Sequence, residues 1–422
     1  MPKPYTILLG KTVRYIARLR GGGSALPGLF VERIDPQFVA ETLAQLPQGV
    51  VLISGTNGKT TTTKMVVQLL ESQGMKVFTN RTGSNFVRGV AAALLGEVDS
   101  HGKIDADIAV LELDEAHAVH FVNQIKPRHS LLLNVMRDQL DRFGEIDATA
   151  RMLEHIAKAT TDSVTLNRED PRVAAIAEKI ETASVNYFGL GQALRTQFPS
   201  DDDMHGISQK LTTPPDADVT LSSFKDDIAT FTIDGKHITT PLKLQGIYNI
   251  YNAAAALALV RSISSDIDEP VLISTLAAIT PAFGRGEALV VNGHPLELVL
   301  VKNPSGFRLG LQSFSPDGYA TMIAINDNYA DGRDMSWLWD VDFDSLREAG
   351  VSELSGSRAY DMALRMQYDE VTVSHVETNL STALRHFIAA NPTIPKRIYC
   401  TYTAMMTLRR ELAKITDVEV IS

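Results

Sequence analysis

The sequence predicts an α/β protein, with a mostly parallel, doubly wound sheet built around a phosphate loop and a smaller C-terminal α/β domain after it. Three observations carry this. The apolar run Val50-Val51-Leu52-Ile53-Ser54 leads into the glycine-bounded turn Gly55-Thr56-Asn57-Gly58 and then into Lys59-Thr60-Thr61-Thr62-Thr63. Strand and helix patterns then alternate as far as Asn167, which implies parallel βαβ units with ligands at the carboxyl edge of the sheet. A third run of alternation starts near Glu287, and 422 residues are room for two or three domains at roughly 100–200 residues each.

In chain order, the first twenty residues carry Lys3, Lys11, Arg14, Arg18 and Arg20 without an acid, around Leu8, Leu9, Val13, Ile16 and Leu19. This is a basic amphipathic helix, and two settings fit it: docked on the body with its charges in water, or resting on an anionic membrane. Gly21-Gly22-Gly23-Ser24-Ala25-Leu26-Pro27-Gly28 is expected to be a loop leading to the strand Val50–Ser54. A helix over 60–73 and strands over 76–79, 108–113, 130–135 and 163–167 follow. From Gly189 to Asp234 the pattern weakens into a polar stretch with Asp201-Asp202-Asp203 and Thr212-Thr213-Pro214-Pro215, expected to be an inserted loop and β-ribbon. A helix returns over 248–262. The expected domains are residues 1–45, 46–286 (with the insertion at about 189–240) and 287–422.

Apolar residues make up 44% and charged residues 21%, with a formal charge of −10. No apolar run approaches the length of a membrane span, and a chain this acidic lacks the basic footprint of a nucleic-acid binder. The apolar core of the N-terminal segment is too short and broken for a signal peptide. Cys400 is the one cysteine, so an intrachain disulfide and a cysteine-rich zinc site are excluded, and a reducing cytoplasmic setting is expected.

Gly55 and Gly58 let successive N–H groups and the positive end of the next helix converge on one anion. Lys59 can then reach terminal phosphates, and the Thr60 hydroxyl can ligate Mg²⁺. Three polar clusters fall where strands should end: Glu112-Leu113-Asp114-Glu115, the run from Asn134 to Glu145, and Asn167-Arg168-Glu169-Asp170. A carboxylate at a strand tip beside a phosphate loop suits a hard cation shared with a nucleotide, which makes Glu112 the second metal candidate.

Further motifs give the chain a family resemblance. Gly246-Ile247-Tyr248-Asn249-Ile250-Tyr251-Asn252-Ala253 resembles the Gly-x-His-Asn-x-x-Asn-Ala helix start of the Mur ligases, the ATP-dependent amide-bond ligases of peptidoglycan synthesis, with Tyr248 in place of His. Phe283-Gly284-Arg285-Gly286-Glu287 is similar to their interdomain Gly-Arg-x-Glu element. The resemblance implies a Mur-ligase-type central P-loop ATPase domain and a smaller Rossmann-like C-terminal domain, with Asn249 and Asn252 near the nucleotide and Arg285 near its terminal phosphate. The Gly-rich loop, Arg137-Asp138-Gln139-Leu140-Asp141-Arg142, Lys302-Asn303-Pro304, Asp331-Gly332-Arg333-Asp334-Met335-Ser336-Trp337 and Thr401-Tyr402-Thr403-Ala404-Met405 resemble the MurT branch. Its members are synthetase subunits that act on lipid II with a GatD-type glutamine amidotransferase.

That resemblance implies ATP and Mg²⁺ as cofactors, lipid II at the cytoplasmic membrane face as substrate, and a glutaminase as partner. The α-carboxylate of the D-isoglutamate residue would attack the γ-phosphate of ATP, and ammonia would displace phosphate from the acyl phosphate. Domain closure would bring Lys302 and Asn303 to that intermediate; the competing reading is a capped strand-to-helix turn. Among Asp327, Asp331, Asp334 and Asp340, the resemblance implies that one aspartate completes the partner's Cys-His pair. Asp334 is the first choice and Asp340 the reserve. Trp337 and Trp339 are either partner anchors or core.

Two departures stand out. The branch's four-cysteine zinc ribbon has no counterpart, so zinc is not expected, and its Asn-Pro-x-Gly-Phe-Asn-Glu segment ends here in Phe307-Arg308-Leu309. A Mur- or folylpolyglutamate-type amino-acid ligase and a non-catalytic, ATP-gated scaffold are the alternatives.

Overall fold

The computed structural model describes residues 3–19, 26–80, 86–136, 146–198, 215–225, 227–244, 246–280 and 285–418, with backbone alone for residues 4, 17–19, 196, 197 and 285–287. Two compact units divide it. The first comprises the described parts of Met1–Val135, Ile146–Leu244 and Asn249–Thr280; the second is chiefly Pro281–Ser422, with Gln245–Tyr248. Among the described residues, no helix is long and apolar enough to cross a membrane.

The first unit is built on nine strands: β1 (Val50–Ser54), β2 (Val77–Thr79), β3 (Ile108–Glu112), β4 (His129–Leu132), β5 (Ser163–Asn167), β6 (Ser184–Leu190), β7 (Val219–Lys225), β8 (Ile228–Ile233) and β9 (Lys236–Pro241). Their order is β2-β3-β1-β4-β5-β6-β7-β8-β9, parallel as far as β7 and antiparallel beyond it. Every residue of β1, β3, β4 and β5 is buried, as expected of parallel strands covered on both faces. Leu52 pairs with Leu111 on one side and Ser130 on the other. From β1 the chain runs out to β2, returns through β3 and crosses to β4, so the strand order reverses around β1. A crevice at the carboxyl end of β1 is where such sheets bind ligands.

The helices in this unit are α1 (Pro4–Leu19), α2 (Leu26–Ile34), α3 (Phe38–Leu43), α4 (Lys59–Ser72), α5 (Val87–Glu97), α6 (Glu115–Val122), α7 (Ile146–Ala159), α8 (Pro171–Ala174), α9 (Ile247–Ile263, which belongs here from Asn249 onward) and α10 (Glu269–Ala278). Met65, Val66, Leu69 and Leu70 of α4 are buried, the 3.6-residue stripe of a helix packed on a sheet.

Two expectations change. The loop predicted over Gly21–Gly28 ends early, because Leu26, Pro27 and Gly28 open α2, and α3 also intervenes before β1. Proline suits a first helical turn, and a Cβ on Gly28 would lie 1.9 Å from the Arg88 carbonyl oxygen of α5, so the glycine serves close helix packing. The expected β-ribbon is a meander that extends the main sheet: Phe188 of β6 pairs in parallel with Val219 of β7. The polar segments at 201–203 and 212–214, and the motif at 137–142, lie outside the described residues.

The second unit has six strands, β10 (Arg285–Val291), β11 (His294–Leu300), β12 (Ala320–Ala324), β13 (Glu353–Ser355), β14 (Val376–Glu377) and β15 (Lys396–Cys400), in the order β10-β11-β15-β12-β13-β14. All neighbours are parallel except β10 and β11. Helices α11 (Pro304–Ser313), α12 (Ala359–Tyr368), α13 (Leu380–Ala390) and α14 (Tyr402–Leu412) cover it. Two apolar clusters form its core. One holds Phe307, Trp337, Phe343 and Tyr399; the other holds Leu296, Met322, Phe387 and Met405.

Candidate active site

The crevice at the end of β1 contains the residues that the phosphate-loop reading singled out. Gly55 (φ +130°) and Gly58 (φ +91°) take the backbone through conformations that side chains resist, and Gly58 is the N-cap of α4. The turn is clasped from outside. Asn134, just past β4, accepts from Asn57 N at 2.8 Å through Oδ1 and donates Nδ2 to Asn57 O at 3.0 Å. Thr56 N donates to Asn134 O at 3.0 Å. Asn252 of α9 packs on the same loop, since a Cβ on Gly58 would lie 2.8 Å from its Oδ1.

Lys59 folds back over this loop, donating Nζ to Gly55 O at 2.5 Å and Thr56 O at 3.2 Å, and lies 3.6 Å from Glu115 Oε1. Thr60 Oγ1 donates to Glu112 Oε1 at 2.8 Å. Asn80, after β2, fixes the Glu112 backbone twice: Nδ2 donates to Glu112 O at 2.8 Å, and Oδ1 accepts from Glu112 N at 3.0 Å. A hydroxyl and a carboxylate oxygen converging beside an ammonium and the N-terminus of a fourteen-residue helix form a donor set that fits a hard divalent cation shared with phosphate.

The structure thus brings together Gly55, Thr56, Asn57, Gly58, Lys59, Thr60, Glu112 and Asn252. Thr61 follows in α4 with its side chain buried, and Asn249 lies in the first turn of α9. Arg285 begins β10, and its side chain lies outside the described residues. Asn80, Glu115 and Asn134 were not singled out as site residues. Glu115 and Asn134 fall within acidic and polar clusters at strand ends, whereas for Asn80 the position after β2 is the sole signal.

The third cluster holds the architecture. Asp170 Oδ2 accepts from Val135 N at 2.7 Å, while Oδ1 accepts from Arg172 N and Val173 N at the start of α8. Burial raises its carboxyl to about 6 despite those donors. Asn167 donates to Leu133 O at 2.8 Å and accepts from Tyr251 Oη at 2.5 Å.

In the second unit, Lys302, Asn303, Asn326 and Thr401 follow the carboxyl ends of β11, β12 and β15. Asn303 Oδ1 accepts from Gly306 N at 2.7 Å, so its oxygen caps α11. Arg308 donates to the Asp340 carbonyl, taking a structural contact where the resembled motif has an amide. The four aspartates divide. Asp327 pairs with Arg358 and accepts from Ser357, and buried Asp331 accepts from Thr403 N at 2.7 Å and Asn328 N at 3.1 Å. Asp334 and Asp340 are exposed. Hydrogen bonds from Ser336 hold the Asp334 carboxyl below the ordinary value, which keeps it ionised. Trp337 belongs to the core; Trp339 is exposed, edge-on to Tyr368 at 5.1 Å.

Residues 53–260 match the Mur ligase middle domain, and residues 300–405 match the MurT ligase C-terminal family. The chain is 31% identical to the lipid II isoglutaminyl synthase (glutamine-hydrolyzing) subunit MurT of Streptococcus pneumoniae R6, covering 96% of both chains. It is 30% identical to the subunit of the same name from Staphylococcus aureus N315, over 87% of this chain and 88% of that one. In three dimensions it is similar to the MurF ligase of Thermotoga maritima in complex with ADP, with a TM-score of 0.67 and 17% identity over 89% of this chain and 83% of that one. That likeness is one of fold.

Proposed function

The chain belongs to the MurT family of Mur ligases, and from that membership we propose that it amidates the α-carboxylate of D-isoglutamate in the lipid II stem peptide to D-isoglutamine, using ATP and ammonia from a GatD-like glutaminase. The observation that carries the catalytic reading is the convergence of Lys59, Thr60 and Glu112 at the end of β1.

A carboxylate resists direct amination, so it must first be activated. Its oxygen attacks the γ-phosphorus of ATP and ADP departs; ammonia then attacks the acyl carbon, loses a proton, and orthophosphate leaves. Phosphoryl transfer asks the protein mainly for positioning and charge neutralisation. Here the loop N–H groups and Lys59 bind the phosphates and Asn249 and Asn252 serve the nucleotide, while the family motif assigns Arg285 to the transferring group. Thr60 and Glu112 would hold Mg²⁺, which supplies further positive charge. Lys302 and Asn303 serve the acceptor side. Asp334, exposed and ionised, orients the histidine of the partner glutaminase, with Asp340 as reserve.

The acceptor is a lipid, and α1 suits a membrane face. Its inner side docks through Ile7, Gly10 and the 2.6 Å bond from Lys11 Nζ to Val98 O. Tyr5, Leu8, Leu9, Tyr15 and Ile16 are exposed. Peripheral binding at the inner membrane surface is the placement this supports.

The test combines the protein with a GatD-type glutaminase, ATP, Mg²⁺, glutamine and lipid II, reading acid-to-amide conversion by mass spectrometry. Conversion abolished by Lys59→Ala supports the reading. Nucleotide binding without conversion from either glutamine or free ammonia would overturn it.

A further inference from the structure

At the β13-β14 end of the second sheet, the fold gathers three side chains the proposed reaction does not use. Glu353 of β13 is fully buried, yet its carboxylate has no lysine or arginine partner among the described contacts. Instead Oε1 lies 2.8 Å from His375 Nδ1, just before β14, and Oε2 lies 2.7 Å from His386 Nδ1 on α13. The imidazole rings pack at 4.1 Å between centroids with a 39° tilt. All three ligand atoms lie within 4.8 Å of one another.

We propose that Glu353, His375 and His386 form a site for a borderline transition-metal dication of the Zn²⁺ class, clasping β13, β14 and α13 together. A carboxylate withdrawn from water requires compensating positive charge. Two imidazole nitrogens already within hydrogen-bond distance of that carboxylate can serve with it as ligands to a cation that supplies the charge. Two imidazole nitrogens and one carboxylate form the three-ligand set of Zn²⁺ sites that keep a fourth position open. The histidine side chains are 43% and 48% exposed, so water can fill that position and the ion can enter. Imidazole selects against Mg²⁺ and Ca²⁺, which prefer oxygen, and this separates the site from Thr60 and Glu112.

Untagged full-length protein, stripped with chelator and held in excess Mg²⁺ to occupy the phosphate-loop site, would be titrated with Co²⁺ as a visible probe and with Zn²⁺ in competition. The expected result is one equivalent of Co²⁺ with a tetrahedral absorption band, bleached by Zn²⁺. Saturating Zn²⁺ should raise the melting temperature by at least about 3 °C. His386→Ala and His375→Ala, both at half-exposed positions, should fold normally and each weaken binding by at least about tenfold. Failure to take up the metal, or uptake unchanged in both variants, would overturn the site and assign the trio to a proton-bearing hydrogen-bond clasp. Neither outcome bears on the amidation assay, which reads residues elsewhere.

Discussion

Thr60 Oγ1 donates to Glu112 Oε1 at 2.8 Å, joining the first turn of α4 to the tip of β3 across a separation of 52 positions. The pair places two oxygen atoms beside the glycine-bounded loop, and Glu112 is the charged one. Glu112→Gln retains the hydrogen-bond acceptor and volume while removing the charge that favours a dication. The expected outcome is an amidation rate about 100-fold lower at limiting Mg²⁺ that partly recovers as Mg²⁺ rises, comparable to losing one preorganised electrostatic contact. Rates measured against Mg²⁺ concentration check this; an unchanged Mg²⁺ dependence would remove Glu112 from the metal site.

Asn134 holds the loop that Lys59 leaves. Its amide makes both hydrogen bonds to the Asn57 backbone, so Asn134→Ala strips one donor and one acceptor at a half-buried turn. At about 1 kcal/mol for each of the two net hydrogen bonds, ADP affinity should fall by up to roughly thirtyfold, with β1 and its core intact. Calorimetric titration with ADP reads this directly, and wild-type affinity in the variant would show that the clasp does not preorganise the loop.

These two cases also show what was legible. The loop could be read because its information is local: glycines at 55 and 58, an apolar strand before and Lys59-Thr60 after. The strands β1 to β5 were legible for the same reason, Val50–Ser54 and Ser163–Asn167 to the residue and the others within a few. Asn80 and Asn134 were not, since their partners lie 32 and 77 positions away. Strand β6 lacks clean alternation, with Ser184 exposed and Val185, Asn186 and Tyr187 half-buried. Helix α2 was hidden because Pro27 and Gly28 carry turn character locally, and only the approach of Arg88 explains the glycine. The division of the aspartates and of Trp337 from Trp339 likewise depends on tertiary packing.

Two buried groups of the first unit, His129 in β4 and Asp170 at the start of α8, should oppose each other as pH changes. Burial lowers His129 from 6.5 to about 4 and raises Asp170 from 3.8 to about 6. Between about 4 and 6.5 the unfolded chain binds a proton at His129 that the native state refuses, so this term gains stability as pH rises. Between about 4 and 6 the native state retains a proton on Asp170 that the unfolded chain releases, so that term loses stability as pH rises. The two nearly cancel. His129→Gln should therefore expose a decline on the order of 2 kcal/mol from pH 4 to 6, and Asp170→Asn a rise of similar size. Urea unfolding across that range measures both, and parallel slopes in the two variants would contradict the assignment.

Asp334 is exposed, and Ser336 keeps its carboxyl ionised. If that carboxylate orients the partner's histidine, Asp334→Asn removes charge from glutamine hydrolysis and none from the ligase. Glutamine-dependent amidation should fall by at least about 100-fold, while amidation from free ammonium stays within about twofold of wild type. Equal losses with both nitrogen sources would place the aspartate in the ligase reaction, and no loss with either would pass the role to Asp340.

The outer stripe of α1 makes the last test. Tyr5, Leu8, Leu9, Thr12 and Ile16 recur at the three- and four-residue spacing of one helix face, opposite the docked Ile7 and Gly10. Leu8 and Tyr15 are 70% and 66% exposed, so Leu8→Glu with Tyr15→Glu loses almost no packing and should leave the melting temperature unchanged. Acidic side chains on an interfacial helix oppose both apolar insertion and attraction to anionic headgroups. Cosedimentation with phosphatidylglycerol vesicles should drop at least about tenfold, and amidation of lipid II in vesicles should fall while turnover in detergent micelles holds. If the double variant still binds vesicles as the wild type does, the exposed face of α1 is not the membrane contact, and Lys11 is left to its structural bond to Val98.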